Sequence, residues 1–523
     1  MRLEDFAPLS EAERKLIDEC SGPDRIVFGD GELPAEDDEA AALRADLVRL
    51  ILLGGPGAPR LHDKGLRLRG ARLTGMLDLQ GCDCLHDMTF SDCRIDEAMN
   101  LVNAHLRGLH FSGTVLAGLA ADNASFSGSL YLRDGTVSLG EIGLAGVRLG
   151  GDLQICGAEI HSAGQDALFA PALKVEGSVF LGNYPYTDGE TALAAQGMLF
   201  LSSAHVEHDL FISNTSITLT ESALGRPIFG AIEEHGPDIA LSLARARIGG
   251  ILYLRGNQIG RGILSLAGAE AARLNDEPTG PGASYPIRLD GFRYHDFSRY
   301  ADISVQARLA WLARRPEGMR FTTQPYVHLA DVLTRIGHHE EARTVLMHKE
   351  RLLHAEKRRR LMAARGQGLG WAGAWAGDAL LRLTIGYGYR PVRALVMAAV
   401  MILALGWFFD RCWRAGDMVP NSAPVLTSAP WIAATRSHPE NPGAYWSSPG
   451  EAGQDWESFH AYAYAADLFI PLVSLGQEAG WSPSTSRSPW GRAGWWLRWV
   501  AEAVGWVVTA LGAGAITGVI RRE

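Results

Sequence analysis

The chain has 523 residues, 47% of them hydrophobic, a formal net charge of -10 and a pI near 5.9. That length gives room for about three domains, and the composition fits a water-soluble body with a small membrane part rather than a multi-spanning transporter. So acidic a chain excludes nucleic acid as a partner, because phosphate binding needs a basic surface.

Up to Leu61 there is no charged head, apolar core and small-residue cleavage site in series, so no signal peptide is expected and the N-terminal body should stay in the cytoplasm. Six irregularly spaced Cys on the reducing side do not make a disulfide framework. Residues 1–64 read as a helical N-terminal cap. Ser10 to Glu13 has the spacing of a capping box, and Leu43, Leu47, Leu50 and Ile51 share a helical face ahead of Gly54, Gly55 and Pro56.

Residues 65–297 repeat weakly. The phrase Gly-x-Leu-x-Leu recurs from Gly75, Gly128, Gly151, Gly177 and Gly250, with a variant from His208, and each copy predicts a short strand with alternate residues turned inward. Small residues stand at Ala71, Cys82, Cys93 and Ala104, then at Ala124 and Ala145. That rhythm predicts a stack of coils of about twenty residues, a β-solenoid. Insertions at 182–193, 213–238 and 270–285 interrupt it and offer loops for a protein or small ligand.

Asn103-Ala104-His105-Leu106 and Asn123-Ala124-Ser125-Phe126 resemble the units of the pentapeptide-repeat class. The resemblance implies a right-handed quadrilateral β-helix with the small residue and the Leu inside. The expected fold class is therefore mainly β: a right-handed, pentapeptide-repeat-like β-solenoid with a helical cap, a helical hairpin connector and a C-terminal α-helical membrane domain. This order is similar to that of bacterial membrane proteins often given the name membrane-associated oxidoreductase. The resemblance carries over no catalytic residue.

Residues 298–366 change to helical period and predict a hairpin, Gln324 to Ile336 and His339 to Leu361, resembling one tetratricopeptide-type unit. It ends in Lys357, Arg358, Arg359 and Arg360, which face lipid headgroups and place this end at the cytoplasmic side. Residues 367–390 predict an interfacial amphipathic segment rich in Trp. Residues 391–523 then form the membrane domain, with spans at 392–409 and 499–520 and a re-entrant half-helix at 459–475. Pro471 and Asp467 disfavour a third span there. Membrane lipids are thus partners, and the expected location is a bacterial inner membrane with the N-terminal body and the C-terminus in the cytoplasm.

Thr384 to Gly388 spells TIGYG, the potassium-filter signature, but it precedes the first span and reads better as a glycine-rich turn. The filter-like position follows the half-helix, where Asp467, Ser474, Gly476, Gln477 and Glu478 are the pore candidates. Gly505, Gly512, Gly514 and Gly518 are the candidates for close span packing, and Arg498 can pair with Glu502 on one helix face. Cys82 and Cys93 share a register with Ala71 and Ala104, which makes them inward core residues rather than metal ligands. No metal or cofactor is expected: dinucleotide, P-loop, haem and iron–sulfur motifs are missing, which weighs against an enzyme. Three functions stay open: an ion-channel-like homo-oligomer, tetrameric if a pore; a non-conducting membrane scaffold; and an oxidoreductase with an unrecognised cofactor site.

Overall fold

A computed structural model describes residues 2–221, 224, 238–280, 284–365 and 369–517. The chain divides into two compact units, Met1–Val345 and Leu346–Glu523.

The first unit is built on two parallel sheets of 17 and 15 strands, taken up alternately as the chain advances. Four-residue strands Met88–Ser91, Leu109–Ser112, Leu130–Arg133, Leu153–Cys156, Val179–Gly182 and Leu210–Ser213 lie side by side in register. Because side chains alternate along a strand, this register stacks like on like. Leu109, Leu130, Leu153, Val179 and Leu210 form one fully buried column. The residues one step along, His110, Tyr131, Gln154, Phe180 and Phe211, form the outer column of the same sheet. Between strands the backbone turns through the left-handed region at Asp92, Asn103, Asn123, Asp134 and Asn214. Asn and Asp tolerate that conformation best among residues with a Cβ.

The expected fold class is corrected by this layout. The described residues hold two large parallel sheets together with thirteen α-helices, an α/β-type fold rather than a mainly-β solenoid of pentapeptide-repeat type. The short repeated phrases report local strand alternation, and local alternation does not fix how strands are shared between sheets. Residues 1–64 show the same limit: Ile26–Val27 pairs with Leu66–Arg69 and Ala42–Arg44 with Arg72–Thr74, so the stretch expected to be a helical cap also supplies a strand to each sheet. Its capping box does form, with Ser10 Oγ accepting from Glu13 N at 3.1 Å and Glu13 Oε2 from Ser10 N at 3.0 Å. Cys93 is fully buried, and burial pushes its thiol up to about 12. Cys82 keeps the register of Ala104, since Asp83–Cys84 pairs with His105–Leu106, but it is half-exposed beside Arg49 rather than an inward core residue.

The sheets finish at a buried ion pair. Arg308, on helix Val305–Ala313, donates Nη1 to Asp276 Oδ1 at 2.7 Å and Nε to Asp302 O at 2.6 Å, with its guanidinium over the Phe297 ring. Helices Gln324–Arg335 and His339–Arg365 follow, and the division between units falls inside the second of them.

In the second unit, helix Leu369–Thr384 leads through the TIGYG turn to two helices long and apolar enough to cross a membrane, Val392–Arg414 and Pro489–Ile516. Their most apolar windows have mean hydropathies of 2.2 and 1.5 and are only 22% and 28% buried. Both extend beyond the predicted 392–409 and, at its start, 499–520, because polar and Trp-rich turns continue the helices past the apolar runs. Residues 518–520 lie outside the described residues. A core helix of a water-soluble protein hides its apolar surface; these leave Leu395, Val396, Leu403, Trp407, Trp496, Val500 and Trp506 exposed. Two such helices point to membrane association.

Candidate membrane-domain site

Between the two long helices sits Ala461–Phe469, nine residues long and so about 14 Å, too short to cross a hydrocarbon core of about 30 Å. His460 starts it, its Nδ1 accepting from Ala463 N, and Pro471 lies two residues beyond its end. Tyr464, Leu468 and Phe469 are buried with Leu405 and Phe409 of the first long helix and Ala501 and Val508 of the last.

Glycine sets how closely the helices approach. A Cβ on Gly505 would lie 2.1 Å from Phe469 O, and one on Gly406 would lie 2.3 Å from the Tyr462 ring. Gly512 is looser, its Cβ position 3.4 Å from Ala394 Cβ, and Gly514 is half-buried. Gly518 lies outside the described residues.

The pore candidates come together after the short helix, but most are committed to holding the chain. Asp467, 8% exposed, accepts from Leu475 N at 2.7 Å through Oδ1 and from Glu478 N at 2.9 Å through Oδ2. Gln477 is buried. Its Oε1 accepts from His460 N at 2.8 Å, and its Nε2 donates to Glu457 Oε1 at 3.0 Å and to Ser458 O at 2.9 Å. Gly476 has a φ of 77°, which a residue with a Cβ adopts at a cost. Ser474 is exposed at a tip whose neighbours Leu472, Val473 and Leu475 are exposed too. Glu478 is half-buried, and burial, then the charge of Glu502, raise its carboxyl above the ordinary value. Arg498 lies 3.9 Å from Glu502, as their spacing predicts, and also reaches Ser482 Oγ at 3.2 Å.

A second buried acid works as Asp467 does. Asp417, fully buried, accepts through its two oxygens from the backbone N–H and the hydroxyl of Ser488, the N-cap of the last helix. Strand Met418–Pro420 pairs antiparallel with Trp481–Pro483, so both ends of the long connection are tied.

Ahead of the first long helix, TIGYG is a turn with a polar lock. Tyr387 takes a φ of 58°, and its hydroxyl donates to Asp378 Oδ1 at 2.6 Å while Arg358 Nη1 donates to Asp378 Oδ2 at 2.6 Å. Burial alone would raise the Asp378 carboxyl; the Tyr387 and Arg358 hydrogen bonds hold it below the ordinary value. Of the basic run, Lys357, Arg359 and Arg360 are exposed, Arg360 beside Glu356, and Arg358 is held by Asp378.

Sequence reasoning missed Tyr464, Glu457 and Ser482 as parts of this site. Their partners lie 16 to 24 residues away for Ser482 and Glu457, beyond any helical or strand period. Comparison with family models, curated proteins and solved structures finds no match for this chain.

Proposed function

We propose that the chain is a membrane-anchored scaffold. Its second unit holds it in a bacterial inner membrane, and its first unit, in the cytoplasm, offers surface to a protein or small ligand. The observation that carries this reading is the use of Asp467: both carboxylate oxygens are spent on backbone amides of the following turn. Gln477 is equally occupied, and the exposed tip of that turn is largely apolar. A pore mouth needs free polar groups facing water, and these residues are turned to structure instead. On the first unit, Tyr184 and Tyr186 of the 182–193 stretch pack edge-on to Phe180 and leave Tyr186 72% exposed, an aromatic contact surface of the kind partners use. The exposed Lys357, Arg359 and Arg360 ahead of the first long helix support the cytoplasmic assignment.

Flux through liposomes carrying wild type, Asp467→Asn and Glu478→Gln tests the reading. A scaffold gives no ion conductance in any of the three. Cation conductance in wild type that either substitution alters would overturn it and restore an oligomeric, channel-like pore.

A further inference from the structure

The long connection between the two apolar helices closes on an open cavity of about 380 Å³, a volume that suits a small ligand or a headgroup. Val419 and Ser482, partners in the antiparallel ladder, frame it. Helix Ala429–Ser437 lends it Trp431 and, one turn on, Thr435; the last helix lends Trp495. Arg487 is the one charged residue of its wall among the described residues. Its Nη2 donates to Pro439 O, its buried Nε has no partner, and its Nη1 finds no acceptor among the described residues. The acids of the neighbouring elements form no ion pair with it. Asp417 gives its oxygens to Ser488, Glu440 is exposed beyond Pro439, and Glu502 lies beside Arg498, while Glu478 supplies the connection with its backbone carbonyl.

Hydroxyl groups stand beside that guanidinium. Ser484 Oγ and Ser486 Oγ are 3.2 Å apart and use one hydrogen between them, so the other is free to donate. Thr485, exposed in the same wall, has no side-chain partner among the described residues. Asn421 donates Nδ2 to Glu478 O at 3.0 Å and keeps Oδ1 as an acceptor. A guanidinium with hydroxyl donors recognises phosphate oxygens. One Arg matches the single charge of a phosphodiester; a phosphate monoester, with close to two, would leave one unmatched. The location narrows the source. Trp490, Trp496 and Trp499 are exposed on the first turns of the last helix, around Trp495, and such a Trp collar marks the headgroup level of a bilayer. An ammonium headgroup would meet no carboxylate in this wall and would be repelled by Arg487.

We propose that this cavity binds the phosphodiester headgroup of an anionic glycerol phospholipid. Arg487 takes the phosphate, the hydroxyls of Ser484, Thr485 and Ser486 donate to its oxygens, and Asn421 Oδ1 accepts from the terminal glycerol. The inference rests on the membrane-anchored reading of the second unit and adds to it that the anchor selects the lipid it sits among.

The test uses the full chain and begins with an alkaline carbonate wash of membranes containing it; release into the supernatant would refute the anchor itself, before any lipid is compared. Retained protein is then taken into a neutral maltoside detergent, given short-chain phosphatidylglycerol or phosphatidylcholine, and its bound lipid counted by native mass spectrometry. One phosphatidylglycerol per chain is expected at a concentration where phosphatidylcholine is held several-fold less. Arg487→Gln should weaken phosphatidylglycerol binding about tenfold. Because Arg487 also ties Pro439, Thr485→Val gives a second reading at a side chain that holds no other part of the connection, and should weaken binding about threefold. Arg436→Gln, exposed and outside the cavity wall, should leave binding unchanged. The proposal is overturned by equal retention of the two lipids, or by unchanged phosphatidylglycerol binding in both Arg487→Gln and Thr485→Val. Displacement of the lipid by free glycerol phosphate at equal concentration would also overturn it, making the ligand a water-soluble phosphate ester.

Discussion

The two units solve opposite solvent problems. In the first, apolar side chains point inward in stacked columns, Leu109 to Leu210 fully buried, while charged pairs such as Arg107 with Asp87 stay at the surface. In the second, Leu395, Leu403, Trp496 and Trp506 stand exposed on the long helices, and buried positions hold Asp417, Asp467 and Gln477. Water rewards the first arrangement by the hydrophobic effect. In lipid that driving force between helices is gone, and close packing at glycine plus saturated polar contacts take its place. The same residue type therefore changes meaning with its unit: buried Asp276 in the first is matched by a guanidinium, and Asp467 and Asp417 in the second by backbone amides and, for Asp417, a serine hydroxyl.

The largest expected effect breaks the comparison on its first side. Arg308→Ala leaves Asp276 buried without its partner and should cost about 3–5 kcal/mol. Leu132→Ala should cost about 2–5 kcal/mol by cavity formation. Leu403→Ala, equally apolar but 60% exposed, should stay within about 0.5 kcal/mol in detergent. Chemical denaturation of the full chain measures all three; similar losses at Leu132 and Leu403 would erase the contrast.

Next is the glycine contact. Gly505→Ala drives a methyl into Phe469 O and should destabilise the second unit by about 1–3 kcal/mol, whereas Gly512→Ala, whose methyl would meet Ala394 Cβ at 3.4 Å, should be nearly neutral in the same thermal assay. Asp467→Asn removes one of two acceptors and should cost about 1–3 kcal/mol, seen as earlier proteolysis of the turn near Leu472.

How far the sequence reaches differs between the units for the same reason. Apolar runs without charge mark the two long helices because composition alone carries that signal, and Arg498 with Glu502 follows from helical period. Alternation in GSLYL marks Leu130 and Leu132 as buried. Sheet membership is not legible, since it depends on which strand each copy meets, and Ala42–Arg44 joining Arg72–Thr74 has no local cue. Nor is the fate of Asp467: Pro471 and the acid suggest a protected segment, but only the fold brings Leu475 N and Glu478 N to its oxygens.

The smallest effect is a pH dependence confined to the first unit. Burial tends to raise the Glu13 carboxyl, yet hydrogen bonds from Arg44 and the Ser10 backbone bring it below 4.5. A folded value below the unfolded one gives stability that is present above 4.5 and lost as pH falls through the folded value. Glu13→Gln should therefore flatten the acid limb of the stability profile below about pH 4.5 and lower stability at neutral pH by less than the core substitutions do.

The inverted second unit is tested most directly by where water can reach it. Single cysteines placed at Leu403, Val507 and Ser474 of the full chain, its six native cysteines replaced by Ala or Ser, in intact membrane vesicles open to both sides, are treated with a membrane-impermeant maleimide. Leu403→Cys and Val507→Cys should remain unlabelled until detergent is added, and Ser474→Cys should label at once. Equal labelling of all three before detergent would contradict a lipid-facing surface on the two long helices.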